Sequence, residues 1–143
     1  MVSEDGTIKL IDFGLALVLG PNGISKDMWV FDLFQSPEVM ADQPAGFDAD
    51  LWYFAGVLYA LVHPQHFLPW VSIPLSANLA TVIRQCATIS SYVKSRTPIP
   101  KLPEEVGEYN ALFERCFDYD IKNRPDIDEV ITILKGIKAN YDA

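Results

Sequence analysis

A mainly α fold is predicted: a helical bundle around one apolar central helix, with a small β-hairpin at its N-terminal edge. Three observations predict it. Leu51 to Val62 is apolar on every face. Three further segments repeat apolar residues at helical spacing. Asp5-Gly6, a strong short hairpin signal, stands directly before the β-branched and apolar run Thr7-Ile8-Lys9-Leu10-Ile11. The chain has 143 residues, half of them apolar, which is material for one core and a single domain.

The hairpin comes first. A type I′ turn at Asp5-Gly6 would pair Thr7–Ile11 with whatever precedes it, and only Met1 to Glu4 do. The sequence therefore reads as truncated at its N-terminus or as starting at an internal methionine. From Gly20 to Asp48 the pattern is irregular, with Gly20-Pro21-Asn22-Gly23 as turn chemistry and Pro37 and Pro44 interrupting any helix. Leu51–Val62, with Trp52, Phe54 and Tyr59, is too short to span a bilayer and too uniformly apolar for a surface helix. It reads as a buried central helix capped by Asp48 or Asp50. The next helix carries Leu79, Val82, Ile83 and Cys86 on one face, with Ser76 as its cap. Pro98, Pro100 and Pro103 separate it from a helix bearing Tyr109, Leu112, Phe113, Cys116 and Phe117. The last carries Ile127, Val130, Ile131 and Leu134, and Asp126 with Glu129 forms a capping-box pattern at its start.

Charge and rare residues exclude several functions. A net charge of −8 argues against a nucleic-acid or anionic-membrane partner. The N-terminus lacks the basic-then-apolar pattern of a secretory signal, which points to an intracellular, cytoplasmic protein. Cys86 and Cys116 sit at apolar helical positions and read as reduced core thiols. His63 and His66 lack further ligands at metal-binding spacing and read as loop residues.

Four short motifs carry chemistry. Asp12-Phe13-Gly14 follows the apolar run, so a carboxylate ends a strand and a glycine follows. Ser36-Pro37-Glu38 closes the irregular stretch, Asp50-Leu51-Trp52 heads the apolar helix, and Asp120-Ile121-Lys122-Asn123-Arg124-Pro125 precedes the last one. In this order, over Gly6 to Leu134, they resemble the C-terminal lobe of eukaryotic-type protein kinases from the magnesium-binding turn onward. The resemblance implies that residues 1–143 are a partial kinase domain whose N-lobe and catalytic loop are absent.

It also implies roles. Asp12 would be the catalytic Mg²⁺ ligand, and Asp12, Phe13 and Gly14 together would face Mg²⁺ and ATP in the intact parent, with Gly14 as the hinge. Glu38 and Arg124 would form a buried ion pair. Asp50 would hold the backbone of the catalytic loop, a role compatible with a simple helix cap. The parent would transfer the γ-phosphoryl group of ATP to Ser or Thr of a protein substrate. The fragment would be inactive alone and bind no cofactor tightly, since the Gly-rich loop, the phosphate-binding Lys and the His-Arg-Asp loop are not in the sequence. Val30-Phe31 occupies the place of the family's Gly-Thr, and Gly56 falls one place after the usual helix glycine, at Ala55. The first departure favours the alternative, a non-catalytic pseudokinase or scaffold lobe. Ser25 is the one hydroxyl in Leu15–Gln35 and a possible phosphosite, though it reads by default as an ordinary loop serine. Apolar surface at Ile8, Leu10, Phe13 and the 28–34 segment would be covered by the N-lobe or by a protein partner.

Overall fold

The computed structural model describes residues 1–25, 34–72 and 77–142, apart from the side chain of Val82. Ser76 and residues 28–33 of the apolar run lie outside the described residues.

The N-terminal hairpin forms with a different turn from the one predicted. Gly6 N–H donates to Ser3 O (2.9 Å) and Ser3 N–H to Thr7 O (2.9 Å), so Glu4, Asp5 and Gly6 make a three-residue loop. Within that loop only Gly6 has positive φ, at 82°. This is the glycine-terminated three-residue loop rather than type I′. The Asp5 carboxylate favours it by accepting from the Ser3 hydroxyl at 2.6 Å and the Thr7 N–H at 3.0 Å. Those bonds, the Ser3 one foremost, draw its pKa down to about 2. Pairing stops at a single antiparallel bridge between Val2 and Ile8, so the expected strand over 7–11 is not completed. Every residue from Glu4 to Val18 is exposed, and among the described residues the segment has no second sheet neighbour.

Among the described residues five α-helices follow: α1 Pro37–Met40, α2 Phe47–Val62, α3 Leu79–Lys94, α4 Asn110–Cys116 and α5 Ile127–Asp142. Helix α2 starts four residues earlier than predicted, and its N-cap is Gly46 rather than Asp48 or Asp50. A Cβ on Gly46 would lie 2.6 Å from the Gly23 carbonyl oxygen, so glycine is what lets the 20–25 loop approach. Helix α2 packs on α4 and buries Leu51, Trp52, Ala55, Tyr59 and Ala60. Its opposite face, with Phe47, Phe54, Val57 and Leu61, is exposed, so burial is one-sided. Helix α3 is capped by Asn78, whose Oδ1 accepts from Thr81 N–H at 2.9 Å. Its first half exposes the predicted core residues Leu79 and Ile83, and Ile89 and Val93 near its end are buried instead. The α4 face is buried at Leu112, Phe113 and Cys116, with Phe117 just beyond. In α5, Asp126 Oδ1 caps Glu129 N–H at 2.8 Å. The Glu129 side chain turns to Arg115 at 3.0 and 3.1 Å, so only half of the capping box forms. Helix α5 buries Val130 and Ile137 and leaves Ile127 and Ile131 exposed.

Aromatic rings build the centre of the core. The Trp52 ring meets Phe117 edge-on at 5.0 Å, and Phe34 lies 5.9 Å from it and 5.8 Å from Trp70. Phe34 closes the run expected to be exposed, yet it is 7% exposed. Gly56 explains the difference: a Cβ there would stand 2.8 and 2.9 Å from the Phe34 ring carbons. The displaced helix glycine is the recess into which Phe34 fits.

Helix α3 ends in a Schellman turn, with Arg96 N–H donating to Val93 O and Thr97 N–H to Tyr92 O, both at 3.0 Å. The left-handed position that glycine usually fills is held by Arg96, at φ 52°. For a residue with a Cβ this costs roughly 1–2 kcal/mol.

Candidate functional site

Two arrangements gather the residues singled out by the motifs. The first lies where α1 meets the segment before α5. Pro37 opens α1 at a position where its missing N–H costs nothing, and Glu38 follows in the first turn. Arg124, 86 positions later, reaches it with a two-pronged ion pair: Nη1 to Oε1 at 2.8 Å and Nη2 to Oε2 at 2.9 Å. The side chains are 3% and 0% exposed. Arg124 Nη1 also donates to Asp48 O at 3.0 Å, and Nε to Asp118 O at 2.9 Å. Its guanidinium lies 5.1 Å from the centre of the Trp52 ring. One side chain thus ties α1, the start of α2 and the 118–125 turn together. Burial by itself would raise the Glu38 pKa. The Arg124 hydrogen bonds and charge outweigh it and hold the carboxyl below its ordinary value of 4.5.

The second arrangement is the turn at Asp12. Asp12 has φ 61° and ψ 68°, and Phe13–Leu15 forms a short 3₁₀ turn closed by Ala16 N–H donating to Phe13 O at 3.0 Å. The residue that bends the chain is therefore Asp12, not Gly14. Gly14 lies outside the positive-φ region, and a Cβ on it would meet Asp12 Oδ1 at an ordinary 3.4 Å. Aspartate tolerates the left-handed region better than most residues. The Asp12 carboxylate is exposed, and the Phe13 ring is 68% exposed.

A magnesium ion takes six oxygens, commonly one or two carboxylates completed by phosphates and water. Among the described residues no group of three or more His, Cys, Asp or Glu side chains is placed to hold a metal ion. Asp12 fits Mg²⁺ as one ligand of such a shared site and cannot hold the ion by itself.

Asp50 lies in the first turn of α2 and is exposed. Ser25 is tied by its backbone to Ala45 through reciprocal hydrogen bonds of 2.9 and 3.0 Å. Val30 and Phe31 lie outside the described residues. Sequence reasoning missed the carbonyls of Asp48 and Asp118, which complete the shell of Arg124. Backbone acceptors carry no residue signature, so no signal could have named them.

Comparison with known proteins follows the same line. Residues 1–133 match the family model of the protein kinase domain. A probable cell division protein kinase of Encephalitozoon cuniculi is 28% identical over 142 residues, covering 95% of this chain and 50% of the relative. The probable serine/threonine-protein kinase drkD of Dictyostelium discoideum is 27% identical over 141 residues, covering 99% of this chain and 10% of the relative. The serine/threonine-protein kinase ATG1b of Arabidopsis thaliana is 36% identical over 130 residues, covering 82% of this chain and 18% of the relative. The chain thus spans half of the first of these relatives and a smaller share of the others.

Proposed function

The chain belongs to the protein kinase domain family, and we propose that residues 1–143 are its helical C-terminal lobe, taken from a Ser/Thr-type kinase. In the intact parent Asp12 would be one Mg²⁺ ligand beside ATP, with Phe13 and Gly14 shaping the turn. The γ-phosphoryl group would pass to a hydroxyl of a protein substrate. Glu38, Arg124 and Asp50 would be scaffold. What carries the reading is Asp12: an exposed carboxylate in a left-handed turn, four residues after the Val2–Ile8 bridge. Strained backbone of this kind concentrates at functional sites. The Ser/Thr assignment takes its support from the names of the relatives.

The chain alone is inactive on this reading, because its sequence holds no Gly-rich phosphate loop, phosphate-binding Lys or His-Arg-Asp loop. The parent acts inside the cell, where ATP is supplied. Among the described residues no helix is long and apolar enough to cross a membrane. A scaffold reading has one structural observation in its favour. Ile8, Leu10, Ile11, Phe13 and Leu15 are between 56% and 83% exposed in one short segment, a surface another polypeptide would cover.

Two transfer assays test the proposal with labelled ATP, Mg²⁺ and casein as acceptor. Residues 1–143 alone should give no transfer above an Asp12→Ala control. A chimera in which they replace the matched half of the E. cuniculi kinase should transfer phosphate, and Asp12→Ala should abolish it. A folded chimera that is inactive, or that is indifferent to Asp12, overturns the catalytic reading and leaves the scaffold.

A further inference from the structure

A cleft of about 300 Å³ opens between α1, the end of α3 and the Tyr119–Ile121 turn. It shares no residue with the Asp12 turn. Met40, Val93 and Ile121 give it apolar walls, and Lys94 and Arg96 bring two cations to its lining. Glu38 also lines it, but Arg124 already neutralises that carboxylate through two short hydrogen bonds. Among the described residues the ion pairs are Lys101–Glu114, Arg115–Glu129 and Arg124–Glu38, so neither Lys94 nor Arg96 meets a carboxylate. The cleft is a positively charged recess on a chain of net charge −8.

Arg96 is the unusual member. It holds the left-handed position of the Schellman turn, where glycine would sit without strain. Its guanidinium is steadied 5.9 Å from the centre of the Tyr119 ring. The Tyr119 hydroxyl is itself anchored by donating to Thr97 O at 2.9 Å. A cation beside an apolar recess suits a ligand that is anionic at one end and apolar at the other.

We propose that this cleft docks an acidic peptide segment carrying one bulky apolar residue. The apolar side chain enters between Met40, Val93 and Ile121, and flanking carboxylates take Lys94 and Arg96. The acidic remainder of the surface repels such a peptide, so binding is confined to the cleft and weakens with salt.

The test is fluorescence anisotropy on the 143-residue chain, using a fluorescein-labelled octapeptide of glutamates around a central leucine and its lysine counterpart. The glutamate peptide should bind and the lysine peptide should not. Arg96→Gly should weaken binding about tenfold or more, the loss expected for one charge-assisted hydrogen bond. The same variant should unfold at a urea concentration no lower than the parent, because glycine relieves the left-handed strain. Lys94→Gln should weaken binding several-fold. The proposal is overturned if the glutamate peptide does not bind, if the lysine peptide binds as well, or if Arg96→Gly leaves affinity intact. A clear fall in the Arg96→Gly midpoint would overturn it too, since Arg96 would then serve the fold through Tyr119.

Discussion

Glu38→Ala tests the pin at the centre of the fold. The substitution leaves Arg124, whose side chain is 0% exposed, with two of its four hydrogen bonds, those to the Asp48 and Asp118 carbonyls. Two charge-assisted bonds of 2.8 and 2.9 Å vanish, and the cation remains buried without its counter-charge. Breaking one side of a buried pair costs about 3–5 kcal/mol. Arg124→Ala should fall at the upper end of that range, because it removes all four bonds and the contact with Trp52. The double variant has no orphaned charge. It should therefore be about 2–3 kcal/mol less destabilised than the sum of the singles. Against a total stability of about 5–15 kcal/mol, each single change is large. Urea unfolding of the four proteins at pH 7 measures the cycle. The pH dependence adds a second reading. Glu38 titrates lower in the folded chain than its ordinary 4.5, so its contribution is present above that value and lost as pH falls through the folded pKa. The penalty of Glu38→Ala should therefore shrink below about pH 4.5. Additivity within about half a kcal/mol at pH 7, the behaviour of surface charges, would refute the reasoning.

Gly56→Ala should destabilise by about 1–3 kcal/mol, the usual range for overpacking, because the new methyl meets the buried Phe34 ring at 2.8 Å. A Phe34→Leu change in the same chain should recover part of that loss in a thermal melt. Burial pushes the Cys116 thiol up to about 11. At pH 8 it should be thiolate in only about one molecule in a thousand, and react with a thiol reagent far more slowly than in urea. Equal rates in both conditions would show that α4 does not seat it in the core.

The helices were legible because their signals are local. Apolar spacing marks the buried face of α4 at Leu112, Phe113 and Cys116, and Asp126 announces the start of α5 three residues before the N–H it caps. Motif order brought the family into view, and the match over residues 1–133 agrees with it. Spacing alone could not say which apolar face finds a neighbour. Leu79, Ile83, Ile127 and Ile131 keep perfect periodicity yet stand exposed, since burial depends on what packs opposite. The same limit applies to backbone geometry. Gly14 looks like the hinge by residue type, but the strained turn falls on Asp12, and the helix end that suits glycine falls on Arg96. By itself the sequence determined α2 to α5, the order of the motifs and the family, whereas α1 opens at Pro37, which reads as a helix breaker. Only the tertiary structure decided that Phe34 is core because Gly56 makes room, and that Arg124 binds two backbone carbonyls beside Glu38. The motif resemblance implied the Glu38–Arg124 pair, but other contacts across many tens of residues, such as Arg124 to the Asp48 carbonyl, depend on where the chain returns and have no local pattern.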